Sequence, residues 1–185
     1  MPRSSGYTNT VHILAGTHRS RRVKFPDVEG LRPTKGRIRE KVFNWLGQFV
    51  DGQVVLDLFS GSGIFAFESA SRGASRVVAV EINLLAYQEI NISCKRLGFS
   101  NIEVYCREGL GYLQTLTERF DVIFLDPPYN WQEWDKMLGL LDSRLKETGV
   151  AYVESNRSLI FPDSLEIIKQ DKVGACYLFL IRRKI

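Results

Sequence analysis

Three acidic residues each close an apolar run: Asp57 after Val54-Val55-Leu56, Glu81 after Val77-Val78-Ala79-Val80, and Asp126 after Val122-Ile123-Phe124-Leu125. Short, continuous apolar runs of this kind read as buried strands, so each carboxylate lies at the carboxyl end of a strand, where α/β sheets bind ligands. Leu58-Phe59-Ser60-Gly61-Ser62-Gly63 follows Asp57 and leads into a helix over 63–72. Gly61 and Gly63 give the backbone room to turn and to approach a ligand closely, and free N–H groups at the helix start point toward it. A carboxylate at Asp57 suits a cationic amino group better than a pyrophosphate. Glu81, at the end of the next strand, is placed to reach both hydroxyls of a ribose lying across the two strands. Together they describe an adenosine-containing ligand. Gly61-x-Gly63-x-x-Ala66 with an acid about 20 residues on also satisfies the dinucleotide fingerprint. The third acid separates the readings, because Asp126-Pro127-Pro128-Tyr129 is a sequence that a dehydrogenase does not need.

The elements that must position these residues follow from 185 residues with 44% hydrophobic composition, enough for one α/β domain with a small appendage. From residue 54 the pattern alternates strand 54–58, helix 63–72, strand 76–81, helix 83–97, strand 102–105, helix 109–117 and strand 121–125. This predicts a parallel sheet with right-handed crossovers. A helix near 132–145, a strand at about 149–154 and a terminal antiparallel pair over 165–169 and 175–182 complete it. Ahead of it, residues 1–10 read as a mobile arm, and Val11 to Leu14 and Val23 to Phe25 as strands of a basic hairpin. Leu31-Arg32-Pro33 breaks the chain, and Thr34 can cap a helix running to about Gln48, with Ile38, Val42, Trp45, Leu46 and Phe49 on one side. The expected division is an appendage over 1–50 and a catalytic domain over 51–185.

The net charge of +4 is unevenly spread: residues 1–50 hold 10 Lys/Arg against 3 Asp/Glu, and residues 51–185 hold 15 against 18. A basic appendage on an acidic domain suits a polyanionic partner met by the amino-terminal segment, with a solvated basic face as the plain alternative. No run of about 18 apolar residues and no signal-peptide core occurs, which places the expected protein in the cytoplasm. Cys94, Cys106 and Cys176 show no ligand spacing and read as reduced, non-metal cysteines. His12 and His18 have no partner that sequence identifies.

With these motifs in place, the chain resembles class I S-adenosylmethionine methyltransferases, and within them the RsmD-type family that methylates guanine N2 in bacterial 16S ribosomal RNA. The resemblance spans roughly residues 11–182 and is carried by Leu31-Arg32-Pro33-Thr34, Arg37-Ile38-Arg39-Glu40, Phe43-Asn44-Trp45-Leu46, Asp57-x-Phe59-x-Gly61-Ser62-Gly63, Ser71-Arg72-Gly73-Ala74 and Asp126-Pro127-Pro128-Tyr129. It implies a Rossmann-like, mostly parallel seven-stranded sheet with an antiparallel C-terminal strand. It also implies S-adenosylmethionine as cofactor, S-adenosylhomocysteine as product and no metal. Asp57, Phe59, Gly61, Gly63, Glu81, Ile82 and Glu108 would bind the cofactor. The implied partner is 16S RNA in a small ribosomal subunit or an assembly intermediate, met by a monomer; within the basic segment, Arg19, Arg21, Arg22, Arg32, Arg37 and Arg39 are the candidate phosphate contacts. Three departures stand out: the family's Gly-Gly reads Ala15-Gly16, its Arg-Gly-Arg reads Arg19-Ser20-Arg21, and its Asp-Ala reads Glu108-Gly109.

A guanine N2 is a poor nucleophile because its lone pair is delocalised into the ring. The Asp126 carboxylate and the Pro127 carbonyl can accept both amino hydrogens and favour a pyramidal nitrogen, while Pro127 and Pro128 stiffen the loop. Tyr129 can stack on the base. Trp131 and Trp134 either flank the base or pack the next helix, and Glu108 either contacts adenine or serves its own helix terminus. N6-adenine methylation of RNA or DNA presents the same chemical problem to the same loop. A non-catalytic RNA-binding protein retaining the cofactor fold is the alternative from another class.

Overall fold

The computed structural model describes residues 8–184. The arm expected over 1–10 is thereby divided: residues 1–7 lie outside the described residues, and residues 8–10 belong to a strand. That strand, β1 (Thr8–His12), pairs antiparallel with β2 (Arg22–Pro26). Then come α1 (Gly36–Trp45), β3 (Val54–Asp57), α2 (Ile64–Ser71), β4 (Arg76–Glu81), α3 (Leu84–Leu97), β5 (Ile102–Cys106), α4 (Gly109–Thr115) and β6 (Phe120–Leu125). The chain finishes with α5 (Trp134–Arg144), β7 (Leu145–Ser155), β8 (Leu165–Val173) and β9 (Cys176–Arg183).

The main sheet runs β5-β4-β3-β6-β7-β9-β8, parallel from β5 to β7, with β9 antiparallel between β7 and β8. The chain winds outward from β3 through β4 to β5 and returns to β6 on β3's other side. The crevice between the carboxyl ends of β3 and β6 is therefore the topological switch point, where open α/β sheets bind ligands. The buried Val55-Leu56-Asp57 and Val77 to Glu81 show why these strands read as continuous apolar runs: both faces are covered.

All of α2 is buried, because the sheet covers one side and the amino-terminal hairpin and α1 cover the other. Ile13, Val23, Ile38, Val42 and Phe43 of that segment share one apolar cluster with Phe65, Phe124 and Tyr152. Gly16 shows how close the hairpin lies: a Cβ there would sit 1.8 Å from Ser71 O, and its φ of +84° favours glycine. The Ala15-Gly16 departure thus keeps the glycine the contact demands. Ser20, in the Arg19-Ser20-Arg21 departure, takes φ +66°, a left-handed conformation that strains a residue with a Cβ.

Two expectations for α1 are corrected. It begins at Gly36 behind Lys35, with no side-chain cap; Thr34 does not cap it. It ends at Trp45 and not near Gln48, because Gly47 and Gln48 both take positive φ, which a right-handed helix cannot contain.

Candidate active site

Asp57, Glu81 and Asp126 all stand at the carboxyl edge of the sheet, at or just past the ends of β3, β4 and β6. Asp57 is 2% exposed, and its Oδ2 is buried with no hydrogen-bond partner among the described residues. An orphaned acceptor of this kind is costly, and a cationic donor would satisfy it. Burial pushes the Asp57 carboxyl up to about 7, with the Glu81 charge adding to the rise, while the Ala66 N–H and the Ser60 hydroxyl oppose it.

Glu81 ties the glycine loop to the strand end: Gly61 N–H donates to Oε2 at 2.6 Å and Asn83 N–H to Oε1 at 2.7 Å. Each oxygen keeps a further lone pair, so the carboxylate can accept two more bonds. Gly61 has φ +52°, and the space its Cβ would fill is open. Gly63, at φ +76°, precedes α2 and lies close against Ile90 and Phe67. Ile82 is 65% exposed beside Glu81. The unpartnered Asp57 oxygen, the open cradle at Gly61 and the apolar surface at Ile82 fit an amino-acid nucleoside such as S-adenosylmethionine. Asp57 would hold the amino group, Glu81 the ribose and Ile82 the base.

Glu108 serves its own helix: Oε1 accepts from Leu110 N at 2.9 Å and Oε2 from Gly111 N at 2.6 Å, which caps α4. The departure at Gly109 also has a cause in this chain, since a Cβ would meet Leu58 O at 2.8 Å and Phe59 at 2.9 Å.

Past β6, Asp126 accepts a hydrogen bond from the Thr34 hydroxyl at Oδ2, 2.9 Å away. Burial, then the charge of Glu154 and that of Asp57, drive its carboxyl well above the usual range, while the Thr34 bond pulls it down. Glu154, near the end of β7, is likewise raised by burial and accepts from the Tyr152 hydroxyl at 2.8 Å. Farther along the loop, Trp131 N–H donates to Pro128 O and Asn156 Nδ2 to Tyr129 O. Among the described residues no hydrogen bond goes to Pro127 O, which leaves that carbonyl free. Tyr129, three residues past Asp126, is 68% exposed. Trp134 is buried and packs the core, whereas Trp131 stands edge-on to both Trp134 and Phe59, joining the two loops.

Arg19, Arg21, Arg22, Arg32 and Arg37 are exposed, as a phosphate-contacting role requires. Arg39 is not, and its expected role is corrected. It is 3% exposed and donates to Thr34 O, His12 O and Glu68 Oε1. Glu68 also takes Arg72 Nε and Leu14 N–H, and Arg72 Nη1 donates to Gln48 O just past α1, so both guanidinium groups help to dock the hairpin and α1 onto α2. His18 packs on Phe99 with ring centroids 4.0 Å apart, a structural place for a histidine left without a role.

Three residues of the site escaped the sequence reading. Glu154 carried a usable signal, since it closes Val150-Ala151-Tyr152-Val153 just as the other acids close their strands. Thr34 and Asn156 reach the loop through contacts across 92 and 27 residues of chain, and no local pattern announces them.

Residues 11–182 match the family described as Conserved hypothetical protein 95. A Haemophilus influenzae protein named Ribosomal RNA small subunit methyltransferase D is 33% identical over 172 residues, covering 89% of this chain and 89% of its own length. A protein of the same name from Buchnera aphidicola is 30% identical over 177 residues, covering 92% and 93%. The solved structure of a putative methyltransferase from Escherichia coli superposes with a TM-score of 0.85 at 28% identity, over 95% of this chain and 99% of that one.

Proposed function

The chain belongs to the Conserved hypothetical protein 95 family, whose RsmD-type members are ribosomal RNA small subunit methyltransferases, and we propose that it methylates the exocyclic N2 of a guanine in 16S ribosomal RNA. The observation that carries this reading is the convergence of Asp57, Glu81 and Asp126 on the switch point, with an unpartnered Asp57 oxygen on one side and the Asp-Pro-Pro-Tyr loop on the other.

S-adenosylmethionine, when bound, supplies a methyl group activated by its sulfonium. Asp57 pairs with its ammonium group, Glu81 accepts from the ribose hydroxyls, and Phe59, Gly61, Gly63 and Ile82 shape the surrounding surface. Glu108 holds the start of α4 at the edge of that surface. On the other side, Asp126 and the free Pro127 carbonyl accept the two amino hydrogens of the target base. This draws the nitrogen lone pair out of conjugation and toward the methyl, with positioning as the main source of catalysis. Pro128 stiffens the loop, and Tyr129 stacks on the base, a contact of about 1 to 3 kcal/mol by analogy with other base–aromatic stacking. Arg19, Arg21, Arg22, Arg32 and Arg37 contact phosphates from the basic segment over 1–50. With so little surface for reading a sequence, selectivity comes from the folded shape of the small-subunit particle.

The test supplies labelled S-adenosylmethionine with naked 16S RNA, with small subunits from cells lacking this protein, and with DNA, and digests the products to nucleosides. N2-methylguanosine at one site, strongest in the protein-bound RNA, is expected. N6-methyladenine would overturn the base assignment, and comparable labelling of DNA would overturn the ribosomal one.

A further inference from the structure

Thr34 makes a contact that local structure does not account for. It stands beside the uncapped start of α1, where a threonine side chain can satisfy free N–H groups. Its hydroxyl is turned elsewhere, to Asp126 Oδ2 at 2.9 Å. Its carbonyl is held as well: Arg39 Nε donates to it at 3.1 Å, and Arg39 is fixed by the fully buried Glu68. Pro33 restricts the backbone on the other side. A continuous chain of contacts thus runs from α2 through α1 and the 32–35 segment to the end of β6.

Asp126 needs such a hold. It faces two further acids, Glu154 and Asp57, both of which favour its neutral form, and Thr34 is the group that opposes them. Among the described residues no other hydrogen bond reaches this carboxylate.

We propose that Thr34 is a positioning residue for methyl transfer: anchored by Arg39, its hydroxyl occupies Asp126 Oδ2 and sets the carboxylate so that the other oxygen meets the substrate amine. The proposal rests on the reading of Asp126 as the amine acceptor. Thr34 lies between Arg32 and Arg37, so the segment that meets RNA and the group that orients the carboxylate are one mechanical unit.

Thr34→Val keeps the shape and removes the hydroxyl, and Thr34→Ser restores the hydroxyl. Both are compared with the unmodified protein for kcat and KM on small subunits as a function of pH, for S-adenosylhomocysteine affinity by calorimetry, and for Asp126 titration by carbon NMR without RNA. In Thr34→Val, kcat at pH 7 should fall about tenfold or more, the size expected for losing a hydrogen bond to a charged group. KM and S-adenosylhomocysteine affinity should stay within about twofold, because the cofactor contacts lie on other elements. The acid limb of the rate profile and the Asp126 titration should both move to higher pH by about one pH unit. Thr34→Ser should recover all three. A Thr34→Val protein with unchanged kcat and Asp126 titration, or a Thr34→Ser protein as impaired as Thr34→Val, would overturn the proposal. If the unmodified protein labels no RNA, the functional reading fails; the NMR titration then still decides whether the Thr34 hydroxyl governs Asp126.

Discussion

Asp57→Asn should remove a pH-dependent cost that burial of a carboxyl imposes on the fold. The Asp57 carboxyl sits near 7 in the fold against an ordinary 3.8, chiefly because burial strips its charge of water. A carboxyl raised by folding favours the folded state at acid pH. That contribution is complete below the unfolded value and is lost as pH climbs toward the folded one, leaving a plateau above about 7. At about 1.4 kcal/mol per pKa unit, the whole change is about 4 kcal/mol, an upper value for a group 2% exposed whose surroundings can relax. Asparagine does not titrate, so whatever it does to packing offsets the variant by a constant. Urea unfolding of both cofactor-free proteins from pH 4 to 8.5 gives the difference curve, read from midpoints at constant m. It should decline by roughly 1 kcal/mol per pH unit up to about 7 and then level. For the same reason S-adenosylmethionine affinity should fall toward tenfold per pH unit below 7, where Asp57 must lose a proton to meet the ammonium group. A difference curve flat across this range would refute the argument that Asp57 is buried at an energetic cost for a cationic ligand.

Glu68→Gln should cost about 3 to 5 kcal/mol by leaving two buried guanidinium groups without their counter-charge, lowering Tm by roughly 10 °C; a loss under about 1 kcal/mol would show that the appendage is held by apolar contact alone. Replacing Arg19, Arg21 and Arg22 by alanine should flatten the salt dependence of RNA binding, by about 0.7 to 0.9 in slope for each lost phosphate contact, and leave S-adenosylhomocysteine affinity intact. An unchanged slope would make this hairpin a solvated face.

Much of the main sheet is legible because parallel strands buried on both faces read as apolar runs, each closed by an acid. Asp57, Glu81 and Asp126 stand at or just past the ends of their strands as these runs imply, and Glu154 closes a run of the same kind. The basic segment was harder to read, because a charge count cannot distinguish Arg37, in solvent, from Arg39, two residues on and buried. What decides between them is Glu68, an acid in the wholly buried helix Ile64–Ser71 that must find a cationic partner somewhere. Thr34 was misread for a related reason: next to a helix start, local rules favour a cap, and only the folded chain brings a carboxylate within reach of its hydroxyl. Glu108 followed the local rule and caps its own helix.

The central claim is that Asp126 and Tyr129 act on the base while Asp57 and Glu81 hold the cofactor. It is tested most directly by measuring, for Asp126→Ala, Tyr129→Phe and Tyr129→Ala, both methyl transfer to small subunits and S-adenosylhomocysteine affinity. Asp126→Ala should lose transfer by orders of magnitude, and Tyr129→Ala should lose far more than Tyr129→Phe, because stacking needs the ring and not the hydroxyl. All three should keep cofactor affinity near that of the unmodified protein. An Asp126→Ala protein that transfers methyl at an undiminished rate, or one whose loss of transfer is matched by its loss of cofactor affinity, would contradict the account.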